Sequence, residues 1–263
     1  MPTKPAKSMW TIKQSATPGT LEVYIYGDVE GDYYDWFGDL IESDTSAKHF
    51  KSELEKYPDA HEISLYINSY GGDVFEGTAI YNQLKRHPAH KTVYIDGFAC
   101  SIASVIAMAG DKVVMPKNTL MMIHDMWRVA VGNARDLRKA ADDLDVINAA
   151  GRQAYLTKSA GKLDEKKLVQ LMEAETWLTA EQCIELGLAD EYAEQDADMQ
   201  AAGELLQKAT LGLEQTLQLR RGIAASLREL SDPEPAPEPE PVNEPVIKPS
   251  IMEMLAGIKE DNK

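Results

Sequence analysis

Ser101 stands where a buried strand turns into an apolar helix, and a hydroxyl at such a place has two possible uses. The run Thr92-Val-Tyr-Ile95 is β-branched and aromatic and predicts a strand, Gly97 breaks it, and 102–108 is a strongly apolar helix stopped by Gly110. As an N-cap, the serine oxygen would accept a hydrogen bond from the orphan amides of the first turn. As a nucleophile, it would leave those amides and the positive helix end to face an oxyanion. A second glycine turn, Gly71-Gly72, follows another apolar strand at 63–67. Glycine lets a backbone approach a substrate closely, and the amide of Gly72 can point at an oxyanion, although a plain turn needs the same residues.

His124 ends the apolar run Leu120-Met-Met-Ile123. As a general base it would need reach to Ser101 and a carboxylate behind its other ring nitrogen; without these it is a structural histidine. Asp125, Glu173 and Glu175 are the carboxylates near a sheet edge. Asp125 follows the histidine directly, so its side chain should diverge from it. Glu175 precedes Trp177-Leu178 at a loop-to-helix junction and is the better orienting acid. The thiol of Cys100 is intrinsically a better nucleophile than a hydroxyl. It precedes the helix start by one residue, however, and should point away as a small buried hydrophobe. Cys183 falls within the last domain helix and is expected in the core, while His49, His61, His87 and His90 lie in charged or proline-flanked stretches and are expected in solvent.

The elements that must position these groups alternate. A strand at 21–26, a glycine turn at 27–31 and one or two helices carrying Phe37, Leu40, Ile41, Phe50 and Leu54 come first. The strand at 63–67 has the near-continuous apolar character of one buried on both faces, and the Gly-Gly turn leads from it into a helix over 74–85. After Gly110 come strands at 112–115 and 120–123, then helices over 134–159 and 164–172. Thr179-Ala-Glu-Gln182 is a capping box opening a final helix that ends at Gly187. The pattern predicts one α/β domain over 19–195, behind a loose polar arm at 1–18. Beyond it the sequence predicts a helical extension at 196–231, a Pro/Glu-rich linker at 232–249 and a short amphipathic segment at 250–263 that could dock on a partner.

Composition narrows the function. Among 263 residues, 44% are hydrophobic and 27% charged, with a net charge of −16, which argues against a nucleic-acid surface. Two cysteines give no disulfide framework, no metal-ligand spacing is present, and no cofactor is expected. The first residues lack the apolar core of a secretory signal, and no apolar run is long enough to span a bilayer, so a cytoplasmic location is expected. Neither Gly-x-Gly-x-x-Gly nor Gly-Lys-Ser occurs, which disfavours a phosphate cradle.

Taken together, Tyr66-Ile-Asn-Ser-Tyr-Gly-Gly72, Gly97-Phe-Ala-Cys-Ser-Ile-Ala-Ser104, Met122-Ile-His124 and Trp177-Leu-Thr-Ala-Glu-Gln-Cys-Ile-Glu-Leu-Gly-Leu-Ala-Asp190 resemble the ClpP peptidase family, in order and approximate spacing, over 21–194. The resemblance implies a ClpP/crotonase-like spiral of β-α-β units and a serine endopeptidase. It implies Ser101 as nucleophile, His124 as base, Glu175 where the family usually has aspartate, oxyanion amides from Gly72 and Ile102, and substrate bound along Gly71 and Gly72. It also implies protein substrates and homo-oligomeric rings, with the 134–159 helix as the handle between rings. Tyr70 stands where the family's turn often has proline, and the added tail looks more like the head maturation proteases of tailed phages, whose substrates are capsid or scaffold proteins. The alternatives are the proteolytic subunit of an ATP-dependent Clp-type protease, a crotonase-type acyl-CoA enzyme, and a catalytically silent capsid-assembly protein.

Overall fold

The computed structural model describes residues 9–35 and 37–193. The readings placed at 196–231, 232–249 and 250–263 lie outside the described residues. Within them the chain is a mixed α/β domain built on a largely parallel sheet, as its alternation of strand and helix predicts.

The sheet begins with β1 (Met9–Gln14) and β2 (Thr20–Tyr26), an antiparallel pair in which Trp10 faces Ile25 and Ile12 faces Val23. The sequence reading places 1–18 in a loose arm. Instead, Trp10 and Ile12 alternate with Thr11 and Lys13, the period-two pattern of an edge strand, and Trp10 packs edge-on against Phe50. A second difference lies at 33–41, where a helix is expected. There β3 (Tyr33–Tyr34) and β4 (Leu40–Ile41) form a small antiparallel hairpin. The Asp35 carboxylate accepts from the amides of Phe37 and Asp39, and Gly38 takes φ +85°, so local turn chemistry prevails over helix. The helix α1 (Ala47–Leu54) starts only after Ser46, whose hydroxyl accepts from the amide of His49.

Next come β5 (Glu62–Ser69), α2 (Val74–Arg86), β6 (His90–Cys100) and α3 (Ile102–Ala107). Parallel pairing sets β5 between β2 and β6, with Val23 level with Leu65 and Leu65 with Val93. One face of this trio is fully buried under α2 and α3, through Ile80, Leu84, Ile102 and Ile106. The other face is not sealed as the apolar run suggests. Tyr24, Tyr66 and Tyr94 lie half-buried across it, stacked at centroid spacings of 4.8 and 5.1 Å.

The remaining elements are β7 (Lys112–Met115), β8 (Leu120–Ile123), α4 (Ala134–Ser159), α5 (Glu165–Glu173), β9 (Thr176–Thr179), α6 (Ala180–Glu185) and β10 (Glu191–Tyr192). Strand β6 serves two partners in turn. Thr92, Val93 and Tyr94 pair with β7, and Phe98, Ala99 and Cys100 pair with β8. Between these halves the β5–β6 register slips, because Ile67 pairs with Ile95 but Ser69 with Ala99. The side chain of Asn68 enters this bulge and accepts from the amide of Phe98, and a Cβ on Gly97 would come within 2.7 Å of its Oδ1. The bulge bends β6 so that its last residues, and Ser101 after them, lie beside β8. Thr179 and Gln182 form the expected capping box at the start of α6.

Close packing of α2 on α3 requires Gly77, where an added Cβ would lie 2.2 Å from Cγ1 of Ile102. Gly77→Ala is expected to cost about 1–3 kcal/mol through overpacking at this contact. Urea denaturation measures it, and a stability equal to that of the wild type would contradict the packing described.

Candidate active site

Ser101 takes φ +54° and ψ −130°, a backbone conformation that residues other than glycine rarely hold, and one that costs on the order of 1–3 kcal/mol unless its surroundings enforce it. Three contacts do so. The amide of Ser101 donates to the carbonyl of Met122, at 2.9 Å. Its carbonyl accepts from both the amide and the hydroxyl of Ser104. Gly71, at φ +98°, packs so closely that an added Cβ would lie 2.7 Å from Cβ of Ser101 and 3.1 Å from the nitrogen of Ile102.

Of the two uses of the hydroxyl, this geometry excludes the cap. Ser101 makes no side-chain cap to α3. Its Oγ lies 2.7 Å from Nε2 of His124 instead. The histidine follows β8 directly, and β8 is tied to the serine turn through Met122, so one short strand fixes the spacing of the pair.

The Gly71-Gly72 turn lies against the same point. Val29 forms a parallel bridge to Gly72, donating to the carbonyl of Gly71 and accepting from the amide of Asp73. In such a bridge the amide of the central residue points away from its partner, so that of Gly72 turns away from Val29. A Cβ at Gly72, where φ is +142°, would lie 2.1 Å from the oxygen of Val29, so this backbone requires glycine. The amide of Ile102 belongs to the first turn of α3, where no intrahelical acceptor exists.

Glu175 is exposed and also holds a left-handed backbone, φ +49°. Its position follows from register. Strands β8 and β9 are antiparallel, with Met122 opposite Trp177 and Ile123 opposite Thr176, so His124 and Glu175 flank the last pair at the same end of this ladder. Asp125 is partly buried and has His124 and Arg152 among its electrostatic neighbours. Burial raises its carboxyl above the usual range, Glu173 and Asp145 push the same way, and Arg152 and His124 oppose them.

Two side chains that the sequence reading does not single out support the serine. The hydroxyls of Ser104 and Tyr155 lie 2.6 Å apart, and the tyrosine is fully buried. Ser104 belongs to the motif around Ser101 and is legible as a near neighbour. Tyr155 is 51 positions away on α4, and only the fold brings it there. Tyr70 stacks on Phe98 with centroids 5.8 Å apart, and Phe98 meets Trp177 edge-on, so an aromatic wall borders this turn. Both cysteines are buried. Of the four histidines expected in solvent, His61 and His90 are exposed, whereas His49 and His87 are partly covered. Nδ1 of His87 accepts from the amide of Ala89. Among the described residues no group of three His, Cys, Asp or Glu could hold a metal ion, and no helix is long and apolar enough to cross a membrane.

A family model described as Clp protease matches residues 41–196. The chain belongs to the Clp protease family. Its kin are thus the ClpP-type serine peptidases that the motifs resemble. The chain is 30% identical over 154 residues to the ATP-dependent Clp protease proteolytic subunit of Deinococcus radiodurans, covering 57% of this chain and 74% of that protein. It is 29% identical over 144 residues to proteolytic subunit 3 of Streptomyces coelicolor, covering 54% and 65% of the two chains. With proteolytic subunit 1 of Streptomyces avermitilis the identity is 30% over 136 residues, covering 51% and 61%. The matches to the two Streptomyces subunits thus span less than two thirds of those proteins.

Burial pushes the Cys100 and Cys183 thiols up to about 12. At pH 8, only about one such thiol in 10⁴ is ionised. Iodoacetamide applied to the folded protein at that pH is therefore expected to leave both cysteines and any hydrolytic activity intact. Alkylation of Cys100 with matching loss of activity would contradict this.

Proposed function

We propose that this chain is a serine endopeptidase in which Ser101 is the nucleophile and His124 the general base. The observation that carries this reading is the 2.7 Å contact between Oγ of Ser101 and Nε2 of His124, at a helix start where the serine gives no cap. As Oγ attacks a scissile carbonyl, its proton passes to Nε2, and the imidazolium then protonates the leaving amine. Water repeats the sequence on the acyl-enzyme. The amides of Gly72 and Ile102 would receive the oxyanion, each worth roughly 10²–10³ in rate. An extended substrate would lie along Gly71 and Gly72 and pair through its backbone. Glu175 would hold the imidazole in its productive tautomer. Nothing in these steps requires a metal or a cofactor.

The partners proposed are protein substrates and further copies of this chain in a ring. Two settings differ in what feeds the site. The relatives named as subunits of ATP-dependent Clp protease favour a subunit working with an ATPase. The residues beyond the family match, 197–263, with their Pro/Glu tract, favour a capsid-maturation protease that acts on capsid or scaffold protein and docks through its tail.

Hydrolysis of unfolded casein by the purified full chain tests the chemistry. Ser101→Ala and His124→Ala are expected to abolish cleavage. Glu175→Gln is expected to lower kcat further than Asp125→Asn; the opposite order would assign the orienting carboxylate to Asp125. Intact mass over time separates the settings, since fragments shed from the 197–263 tail by wild type but not by Ser101→Ala favour self-processing.

A further inference from the structure

The amide of Ile102, one of the two proposed oxyanion donors, shares its peptide group with the carbonyl of Ser101. Among the described residues no peptide bond is cis, so the N–H and C=O of this group point in opposite directions. Whatever holds the carbonyl therefore aims the amide. Gly71 leaves the amide end uncovered, since an added Cβ there would lie 3.1 Å from the nitrogen of Ile102.

The carbonyl end is held by a short hydrogen-bonded series. It accepts from the amide of Ser104 at 3.0 Å and from the Ser104 hydroxyl. That hydroxyl has a single hydrogen, which goes to the carbonyl. In its 2.6 Å contact with Tyr155 the tyrosine must then be the donor. Burial pushes the Tyr155 hydroxyl far above its ordinary range, against the opposing bond to Ser104, so it keeps its proton. Ser104 is 0% and Tyr155 2% exposed. In so dry a place each bond of a series polarises the next, and here the pull on the carbonyl leaves the N–H of Ile102 more positive. Packing alone does not call for the hydroxyl, because phenylalanine would fill the same space with no polar group to satisfy.

We propose that Ser104 and Tyr155 are positioning residues for the oxyanion site. The series from Tyr155 through Ser104 to the carbonyl of Ser101 fixes and polarises the Ser101–Ile102 peptide, so that the amide of Ile102 meets the oxyanion. This role rests on the reading of Ser101 as the nucleophile of a peptidase. Its effect belongs to the transition state, because negative charge develops on the substrate oxygen only there.

Turnover of a fluorogenic peptide and binding of a peptide boronate by the full chain test it. The boronate bonds reversibly to Oγ of Ser101, and its boron becomes tetrahedral and anionic, with one oxygen in the oxyanion position. Tyr155→Phe removes the far hydroxyl alone. Ser104→Ala/Tyr155→Phe removes the whole series without leaving the tyrosine hydroxyl buried and unpaired. Each variant is expected to lower kcat about tenfold with KM kept within about twofold, short of the roughly 10²–10³ that follows outright loss of a donor. Boronate affinity is expected to fall by the same factor as kcat/KM. The pH midpoint of kcat/KM should stay in place, because Tyr155 keeps its proton throughout that range. A pair that merely joins α4 to α3 would lower the melting temperature and leave kcat and boronate affinity unchanged, which overturns the proposal. A moved pH midpoint with unchanged boronate affinity also overturns it, and assigns the pair to His124 instead. A wild type that neither hydrolyses the peptide nor binds the boronate overturns the peptidase reading together with this one.

Discussion

The backbone of Ser101 is the constraint on which the rest of this structure depends. A non-glycine residue at φ +54° stays there only if its neighbours leave it no alternative. In the relaxed conformation of a helix cap the hydroxyl would turn to the amides of its own helix. The strained one withdraws it from that role and points it at His124, leaving the first amides of α3 beside the turn at Gly71. Backbone strain, rather than any property of the serine itself, keeps this hydroxyl from capping α3 and turns it to His124.

Much of the fold serves to hold that strain. The bulge in β6, filled by Asn68, bends the strand so that its end pairs with β8, and β8 supplies both the carbonyl of Met122 that grips the serine amide and the histidine two residues later. Ser104 grips the carbonyl of Ser101 and is itself held by Tyr155, which extends the support to α4. On the other side, Val29 pins Gly72 with bonds to the residues on either side of it. Four separate segments therefore meet at one residue, and each has some other structural duty.

The alternation of strand and helix was legible because buried parallel strands and the helices that cover them follow apolar patterns of different period, and the glycine turns fall between them. The serine and the histidine were legible only from their motifs taken together, since Ser101 read alone is more often a cap than a nucleophile. That Glu175 and His124 flank the same end of one ladder could not be read, because it follows from the pairing of Ile123 with Thr176, 53 positions apart. Local readings failed where the pattern was short. Trp10 and Ile12 are too few to announce an edge strand, and Phe37, Leu40 and Ile41 carry helical spacing in a segment that Asp35 and Gly38 fold into a hairpin. Tyr155 had no local signal at all, because its partner is chosen by the packing of α4.

Fluorophosphonate labelling of the full chain, with the adduct mapped by tandem mass spectrometry, tests the central claim most directly. A hydroxyl aimed at His124 by its own backbone predicts a single adduct on Ser101, slowed about 10²-fold or more in His124→Ala, where no base takes the proton. Adducts spread over other serines, or a Ser101 that reacts equally well without His124, would contradict it.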